Sequence, residues 1–252
     1  MDVQQWVDEI RSRLQSCINK AEELNQENGE QPAPNSTAAR EWALIQEGGM
    51  VPPESYRIAD VLLVASSDYL SALTRLYVEP LPSFSCMVLT RSIMENTARV
   101  WWLLDNNIDG RERAARGVNE DLRSLYESQE LDALLEMSSD PSWIREELIA
   151  WAIEQGYEVK QDRRGREFLQ GVDYQSITGL VEGMLGTGGK AAYKYLSAAA
   201  HGTVLALWES LTPEMQDRGH EYVVKTAKWS GVSFLAAVEQ KARLYGWAVS
   251  RG

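Results

Sequence analysis

The sequence contains few of the residues that build disulfide frameworks and transition-metal sites. Its 252 residues include only two Cys and two His. Two cysteines are too few for a disulfide-stapled fold, and a metal site would have to draw mostly on carboxylate ligands. We therefore expect no metal, no cofactor and two reduced thiols.

Long uncharged apolar runs are also missing. The best candidate, 61–78, is interrupted by Asp68 and Arg75, whereas a membrane-spanning helix needs about 18 or more residues with few or no charges. The first ten residues, MDVQQWVDEI, carry acids where a signal peptide carries a basic region. We expect a cytoplasmic protein that does not enter the membrane.

The chain has fewer basic than acidic residues. The chain has 37 Asp and Glu against 25 Lys and Arg, for a net charge of -12. A protein of this charge repels duplex phosphate at long range, so duplex nucleic acid is not an expected partner. With 44% apolar and 25% charged residues, the composition is that of a globular protein and excludes a disordered chain.

Helical periodicity dominates the sequence. Apolar residues recur at three- and four-residue spacing, and strand alternation is nearly absent. We predict an all-α fold, a single bundle of five or six long helices. An N-terminal helix over 1–30 is expected to form an arm, 31–54 a linker with a short helix, and 55–252 the bundle domain. One small hairpin is predicted within 157–171, with its turn at 163–165.

Caps and breakers set the expected helix boundaries. Ser55 and Asp109 are predicted to be the N-caps of two long helices. The glycines of LGTGGK, residues 185–190, are predicted to break a helix. A very apolar helix is then expected over 190–211.

The aromatic residues are unusual in kind, with nine Trp against three Phe. Trp and Tyr carry a polar group on a large apolar ring, so they favour places where both parts find partners. Either a core built from Trp or an aromatic-lined pocket fits this composition.

The helix predicted near residues 84–106 is too apolar for the charges it carries. Arg91, Glu95 and Arg99 follow four-residue spacing along one face. A charge inside a buried helix is costly unless it is paired, and Arg91 and Glu95 can pair with each other. We predict a charged cluster here, with Arg91, Arg99 and the nearby Trp102 as ligand-binding residues.

The apolar helix predicted over 190–211 also carries polar residues. Ser197 and His201 lie one turn apart, and Tyr193 and Lys194 precede them by about one turn. Burial would keep His201 neutral near pH 7 and would require a hydrogen-bond partner, for which Ser197 and Glu95 are the candidates. His201 and Glu95 are thus candidate catalytic residues, and Tyr193, Lys194 and Ser197 candidate ligand-binding residues.

The segments RSIMENTARVWWLLD and YKYLSAAAHGT carry a resemblance. The chain is similar to an uncharacterised actinobacterial all-helical family that pairs an Arg-x-x-x-Glu helix with a Tyr-x-x-Leu-Ser-x-x-x-His-Gly helix. The matching positions here are Arg91, Glu95, Tyr193, Leu196, Ser197, His201 and Gly202. The chain also distantly resembles the HEPN superfamily, whose ribonucleases place an Arg four to six residues before a His. The nearest match here is Lys194, which six intervening residues separate from His201, so that Arg is absent.

Three functions fit these residues. The first is binding, and in an enzyme also transformation, of a small anionic or aromatic molecule in an interhelical pocket. Arg91 would hold the anionic group and His201, oriented by Glu95, would act as donor or general base. The second, implied by the HEPN resemblance, is a ribonuclease or its partner, with a homodimer that places two copies of His201 at one cleft. The third is a scaffold in which the cluster only specifies packing.

Overall fold

The computed structural model describes residues 3–29, 31–46, 54–77, 83–134, 142–172, 175–202 and 219–248. These ranges form eight helices and one two-stranded sheet. The helices are α1 (Val3–Asn28), α2 (Thr37–Gln46), α3 (Glu54–Leu76), α4 (Ser83–Leu103), α5 (Gly110–Leu134), α6 (Ser142–Glu154), α7 (Ile177–Ala200) and α8 (Gly219–Tyr245), and the strands are β1 (Val159–Gln161) and β2 (Glu167–Leu169). The all-α prediction is confirmed. Among the helices described, none combines the length and apolarity needed to cross a bilayer.

One of the two predicted N-caps is confirmed. The Asp109 Oδ1 accepts a hydrogen bond from the Glu112 amide at 2.8 Å, as an N-cap side chain does. Ser55 is not a cap, because α3 begins one residue earlier. Its buried hydroxyl donates to the carbonyl of Arg113, where α3 lies against Gly117 of α5. Ser55 therefore serves the contact between the two helices.

Helix α4 lies at the centre of the bundle, with α3, α7 and α8 packed on it. The Ser230 hydroxyl lies 3.0 Å from that of Thr90, and the Gln240 amide donates to the Leu104 carbonyl at 3.0 Å, so α8 runs parallel to α4. The side chains that α4 buries in the main core include Met87, Met94, Ala98, Val100 and Leu103. Polar residues on α4 therefore lie close to neighbouring helices.

The C-terminal end of α4 is satisfied by side chains. Four successive carbonyls accept hydrogen bonds, those of Trp102, Leu103, Leu104 and Asp105. The donors are Arg113, Arg116 and Gln240. The last carbonyls of a helix lack intrahelical partners and carry partial negative charge, so the two guanidiniums meet both needs at once.

Arg113 also joins three helices through a buried ion pair. Its Nε lies 3.1 Å from Glu41 Oε2, and the two side chains are 1% and 8% exposed. The Tyr56 hydroxyl donates to the same Glu41 oxygen at 2.5 Å. Burial, and then the charge of Glu41, raises the pKa of Tyr56 above its ordinary value. The network ties α2, α3 and α5 together.

Several of the aromatic residues form core contacts. Trp42, Tyr56, Tyr245 and Trp247 pack edge to face, with ring centroids 4.9 to 6.1 Å apart. The core interpretation of the Trp-rich composition therefore holds for this group.

Helix α1 packs on the bundle through one apolar stripe. Ile10, Leu14 and Leu24 are buried, and Trp6 and Cys17 pack beside them. The stripe lies against α3 and α8. The division of the chain into arm, linker and bundle stays a prediction.

The predicted hairpin is confirmed. Gln161 pairs with Glu167, and Gly165 at the turn has φ +77°, a conformation that favours glycine. Asn119 of α5 bonds both backbone groups of Leu169, since its Oδ1 accepts from the amide at 2.7 Å and its Nδ2 donates to the carbonyl at 3.2 Å. This amide fixes the hairpin on α5.

Helix α7 consists of two segments. Gly186 has φ 72° and ψ -170°, which breaks the helix within the predicted 185–190 glycine segment. The Lys190 ammonium reaches back across the break to the Glu182 carboxylate at 2.6 Å. The kink therefore combines a break in the helical backbone at Gly186 with an ion pair that spans it.

The second segment of α7 ends earlier than predicted. It stops at Ala200, with His201 as the C-cap and Gly202 at φ +63°. Glycine in this left-handed conformation commonly ends a helix, so the helix predicted over 190–211 is wrong at its end. The remaining stretch, 203–218, lies outside the described residues.

Candidate functional site

Three predicted residues meet between α4 and α7. The Arg91 Nη2 lies 2.8 Å from Glu95 Oε1, and the Tyr193 hydroxyl donates to the same oxygen at 2.5 Å. The Arg91 and Glu95 side chains are 24% and 23% exposed. We call Arg91, Glu95 and Tyr193 the α4–α7 cluster. The cluster is therefore partly exposed to solvent.

The close approach of α7 to α4 creates this cluster. A methyl group built on Gly183 would lie 3.3 Å from the Trp101 ring, and the Tyr193 hydroxyl contacts Glu95 further along the same pair of helices. Glu95 of α4 contacts Tyr193 of α7, whereas the later Trp101 contacts the earlier Gly183, so the two helices are antiparallel. Because Gly183 has only a hydrogen as its side chain, α7 packs closely against the Trp101 ring.

The cluster favours the protonated form of its phenol. Burial, followed by the hydrogen bond to Glu95 and the charge of that carboxylate, raises the pKa of Tyr193 above its ordinary value. The neighbouring Arg91 opposes this shift. Tyr193 is therefore a neutral hydrogen-bond donor at physiological pH.

Arg99 extends the charged stripe of α4 toward α5. Its Nε is buried without a hydrogen-bond partner in the described ranges. Burial raises the pKa of Glu120, while the positive charges of Arg99 and Arg123 oppose that rise. Arg99 thus faces a buried carboxylate of α5 rather than the α4–α7 cluster.

The other predicted ligand-binding residues divide into three environments. Ser197 is half-buried one turn beyond Tyr193, and Lys194 is exposed. Trp102 is buried, with the Arg116 guanidinium 4.7 Å from its ring centroid. Of these three residues, Ser197 shares the helix face of Tyr193, because four residues separate them on α7.

His201 differs from its expected environment. It is exposed, because Gly202 ends the helix at this point. The contacts described for Glu95 are to Arg91 and Tyr193, and none joins it to His201. The expectation of a buried histidine is wrong, and catalytic roles for His201 and Glu95 stay predictions.

The sequence analysis missed the buried network of Arg113, Glu41 and Tyr56. A signal was present in GRERAARG, residues 110–117. Small residues surround Arg113 and Arg116 there, which is typical of charged side chains that enter a close helix contact. The partner carboxylate, Glu41, could not be chosen from sequence because it lies 72 residues away.

A pair of carboxylates on α3 and α5 was also missed. The Arg57 Nη2 lies 2.9 Å from both oxygens of Asp121, and the Arg57 Nε donates to Glu54 at 2.6 Å. Burial, then the hydrogen bond with Glu54, raises the pKa of Asp121 to about 6, although Arg57 opposes the shift. Two acids share one guanidinium here.

We expect this pair to make stability depend on pH. The folded protein holds the Asp121 proton more tightly than the unfolded chain, where the pKa is near 3.8. The stabilisation is complete below pH 4 and is lost as pH rises through about 6. Its size is on the order of 1 kcal/mol after allowance for solvent screening. Urea unfolding between pH 4 and 7 should show less of this slope in Asp121→Asn, whereas the exposed control Asp8→Asn should retain it.

Within the described ranges, no group of three or more His, Cys, Asp or Glu side chains is placed to hold a metal ion. The two cysteines are free. Burial raises the pKa of Cys86 to about 11 and also raises that of Cys17. Both thiols are therefore poor nucleophiles at neutral pH.

No family model, curated protein or solved structure matches the chain. The resemblances described from the helical motifs therefore stay predictions, as do the homodimer and the ribonuclease alternative that follow from them.

Proposed function

We propose that the chain binds a small aromatic carboxylate at the α4–α7 cluster, with Arg91 as the residue that holds the carboxylate. The observation that carries the proposal is the convergence of Arg91 and Tyr193 on a single oxygen of Glu95. This arrangement brings two hydrogen-bond donors together in a place that is only partly open to water.

Arg91 has the unused capacity that the proposal needs. Its Nη2 pairs with Glu95 and the guanidinium also interacts with the Tyr193 hydroxyl, while the side chain stays 24% exposed. A guanidinium has five N–H donors in a planar fork that matches a carboxylate. Glu95 holds this fork in position, which lowers the entropic cost of binding.

Neighbouring side chains suit the rest of such a ligand. Tyr193 supplies a neutral phenol, and the half-buried hydroxyl of Ser197 follows one turn later on α7. In this proposal Glu95 positions Arg91, and both an enzyme and a passive binder are compatible with that role.

The test uses benzoate as the probe. Titration followed by Trp fluorescence and by the rise in Tm should detect binding. Arg91→Met should weaken it about 10- to 100-fold, the effect of losing one charge-assisted contact. Glu95→Gln should bind benzoate at least as tightly as the unaltered protein, because the amide oxygen can still accept the hydrogen bond that positions Arg91 while the competing negative charge is removed.

Two controls make the result decisive. Arg163→Met removes an exposed arginine at the hairpin turn and should leave the affinity unchanged, and benzyl alcohol should bind more weakly than benzoate. Benzoate binding that survives Arg91→Met in a folded protein would contradict the proposal. If Arg91→Met or Glu95→Gln lowers the Tm and the unaltered protein does not bind benzoate, the scaffold function is favoured. RNA cleavage that is lost in His201→Ala would favour the ribonuclease.

The proposal includes a cytoplasmic location. Two free thiols with raised pKa values are compatible with a reducing compartment. Fractionation of cells that produce the chain would test this part independently of ligand binding.

A further inference from the structure

We infer that a second site, the cavity between α5, the hairpin and the start of α7, binds a small organic ammonium compound with an aromatic or apolar body. Glu167 is the residue that would pair with the ammonium group. This inference does not depend on the α4–α7 cluster.

The cavity has the size of a ligand site. Its volume is about 630 Å³, within the range of pockets that hold small organic molecules. One part of its wall is apolar and comes from Tyr126, Phe168, Val172 and Ile177. Phe168 is exposed in spite of its size. A ligand body placed there would cover an aromatic face that otherwise contacts water.

The positive charges of the wall are already paired. The Arg166 Nη2 lies 2.8 Å from Asp162 Oδ2, and Arg166 lowers the pKa of that carboxyl, first through its backbone amide. The Arg123 Nε lies 2.8 Å from Glu127, and its Nη1 lies 3.8 Å from the buried Glu120. Neither guanidinium is left to attract an anion.

Glu167 is the third carboxylate of the wall and has no such arginine among its described contacts. Its Oε1 accepts only a long hydrogen bond of 3.4 Å, from Gln161 across the hairpin. Its Oε2 is buried without a hydrogen-bond partner in the described ranges. A desolvated carboxylate oxygen without a donor is costly, and rotation of the Glu167 carboxylate toward an ammonium group in the cavity would remove that cost.

The ligand class follows from these two features together. The wall has an excess of one negative charge, located at Glu167, and the chain as a whole is at -12, which draws cations toward it. Ammonium groups also bind favourably over the faces of Tyr and Phe rings, and Tyr126 and Phe168 stand beside Glu167 in the wall. An amine with an apolar body satisfies the charge and the surface at once.

The experiment uses phenethylamine and its neutral isostere 2-phenylethanol as probes. Isothermal titration should show that the amine binds about 10- to 100-fold more tightly than the alcohol, the effect of one charge-assisted contact. Amide NMR shifts caused by the amine should concentrate at Asn119 and in β2. Glu167→Gln should remove the preference for the amine.

Control variants separate this site from a general effect of charge. Glu158→Gln changes an exposed carboxylate of the same hairpin, 66% exposed, and should retain the preference. If Glu167→Gln does not fold, Phe168→Leu should still weaken amine binding by removing the ring. Equal affinity for amine and alcohol, or tighter binding of 3-phenylpropionate, would overturn the inference.

Discussion

Replacement of Arg113 by Met is expected to lower the free energy of unfolding by about 3–5 kcal/mol, the usual effect of removing one partner from a buried ion pair. The change leaves Glu41 buried beside the Tyr56 hydroxyl without its guanidinium. It also removes the donors for the carbonyls of Leu103 and Asp105 at the end of α4. Urea or guanidinium unfolding at pH 7 measures the effect.

An exposed ion pair serves as the control for Arg113. Arg13 pairs with Glu9 at 2.5 Å, but its side chain is 77% exposed, and such pairs contribute about 0–1 kcal/mol. Arg13→Met should therefore change stability by less than about 1 kcal/mol. Glu41→Gln combined with Arg113→Met should cost less than the sum of the two single changes. Additive losses would show that the two side chains do not act as a pair.

Replacement of Gly117 by Ala is expected to destabilise the protein by about 1–3 kcal/mol, the range for overpacking a close contact. The new methyl group would lie 2.5 Å from the Ser55 hydroxyl oxygen and 2.7 Å from its backbone nitrogen. The helix propensity of Ala, worth about 1 kcal/mol over Gly, acts in the opposite direction and is outweighed. Thermal and urea unfolding measure the net change.

Gly188→Ala in α7 is the matched control, since the added methyl would meet the Trp229 ring at an ordinary 3.5 Å. It should leave stability unchanged or raise it by up to about 1 kcal/mol. Ser55→Ala should restore little in the Gly117→Ala background, because the backbone contact remains. A Gly117→Ala protein as stable as the original would show that α3 and α5 can separate at no cost.

Most of the fold could be predicted because its signals are local. Periodicity gave the helices, and glycine gave both the break in α7 and the turn of the hairpin. Predictions were wrong at positions where contacts between helices determine the structure. Ser55 has the chemistry of a cap, but its hydroxyl is used by Arg113 of another helix. Gly202 is a signal for the end of α7. The apolar residues on both sides of it favoured the longer helix that was predicted over 190–211.

The candidate site was predicted in part for the same reason. Arg91 and Glu95 are one turn apart on α4, so their pairing is a local property. The hydrogen bond between Glu95 and Tyr193, 98 residues away along the chain, was not predicted, because the expected partner of Glu95 on the second helix was His201. The cavity beside Glu167 depends on how the hairpin lies on α5, and no periodic pattern encodes that placement.

The break at Gly186 has a consequence for communication within the molecule. Ile177 in the first segment of α7 lines the cavity, whereas Tyr193 in the second belongs to the α4–α7 cluster. The dihedral angles at Gly186 belong to a region that is essentially restricted to glycine, and they interrupt the helical ladder between the two. Coupling between sites requires an element whose state both of them bias. The two segments of α7 are therefore joined by the Gly186 backbone and, among the described contacts, by the ion pair of Lys190 with Glu182, rather than by a continuous helix.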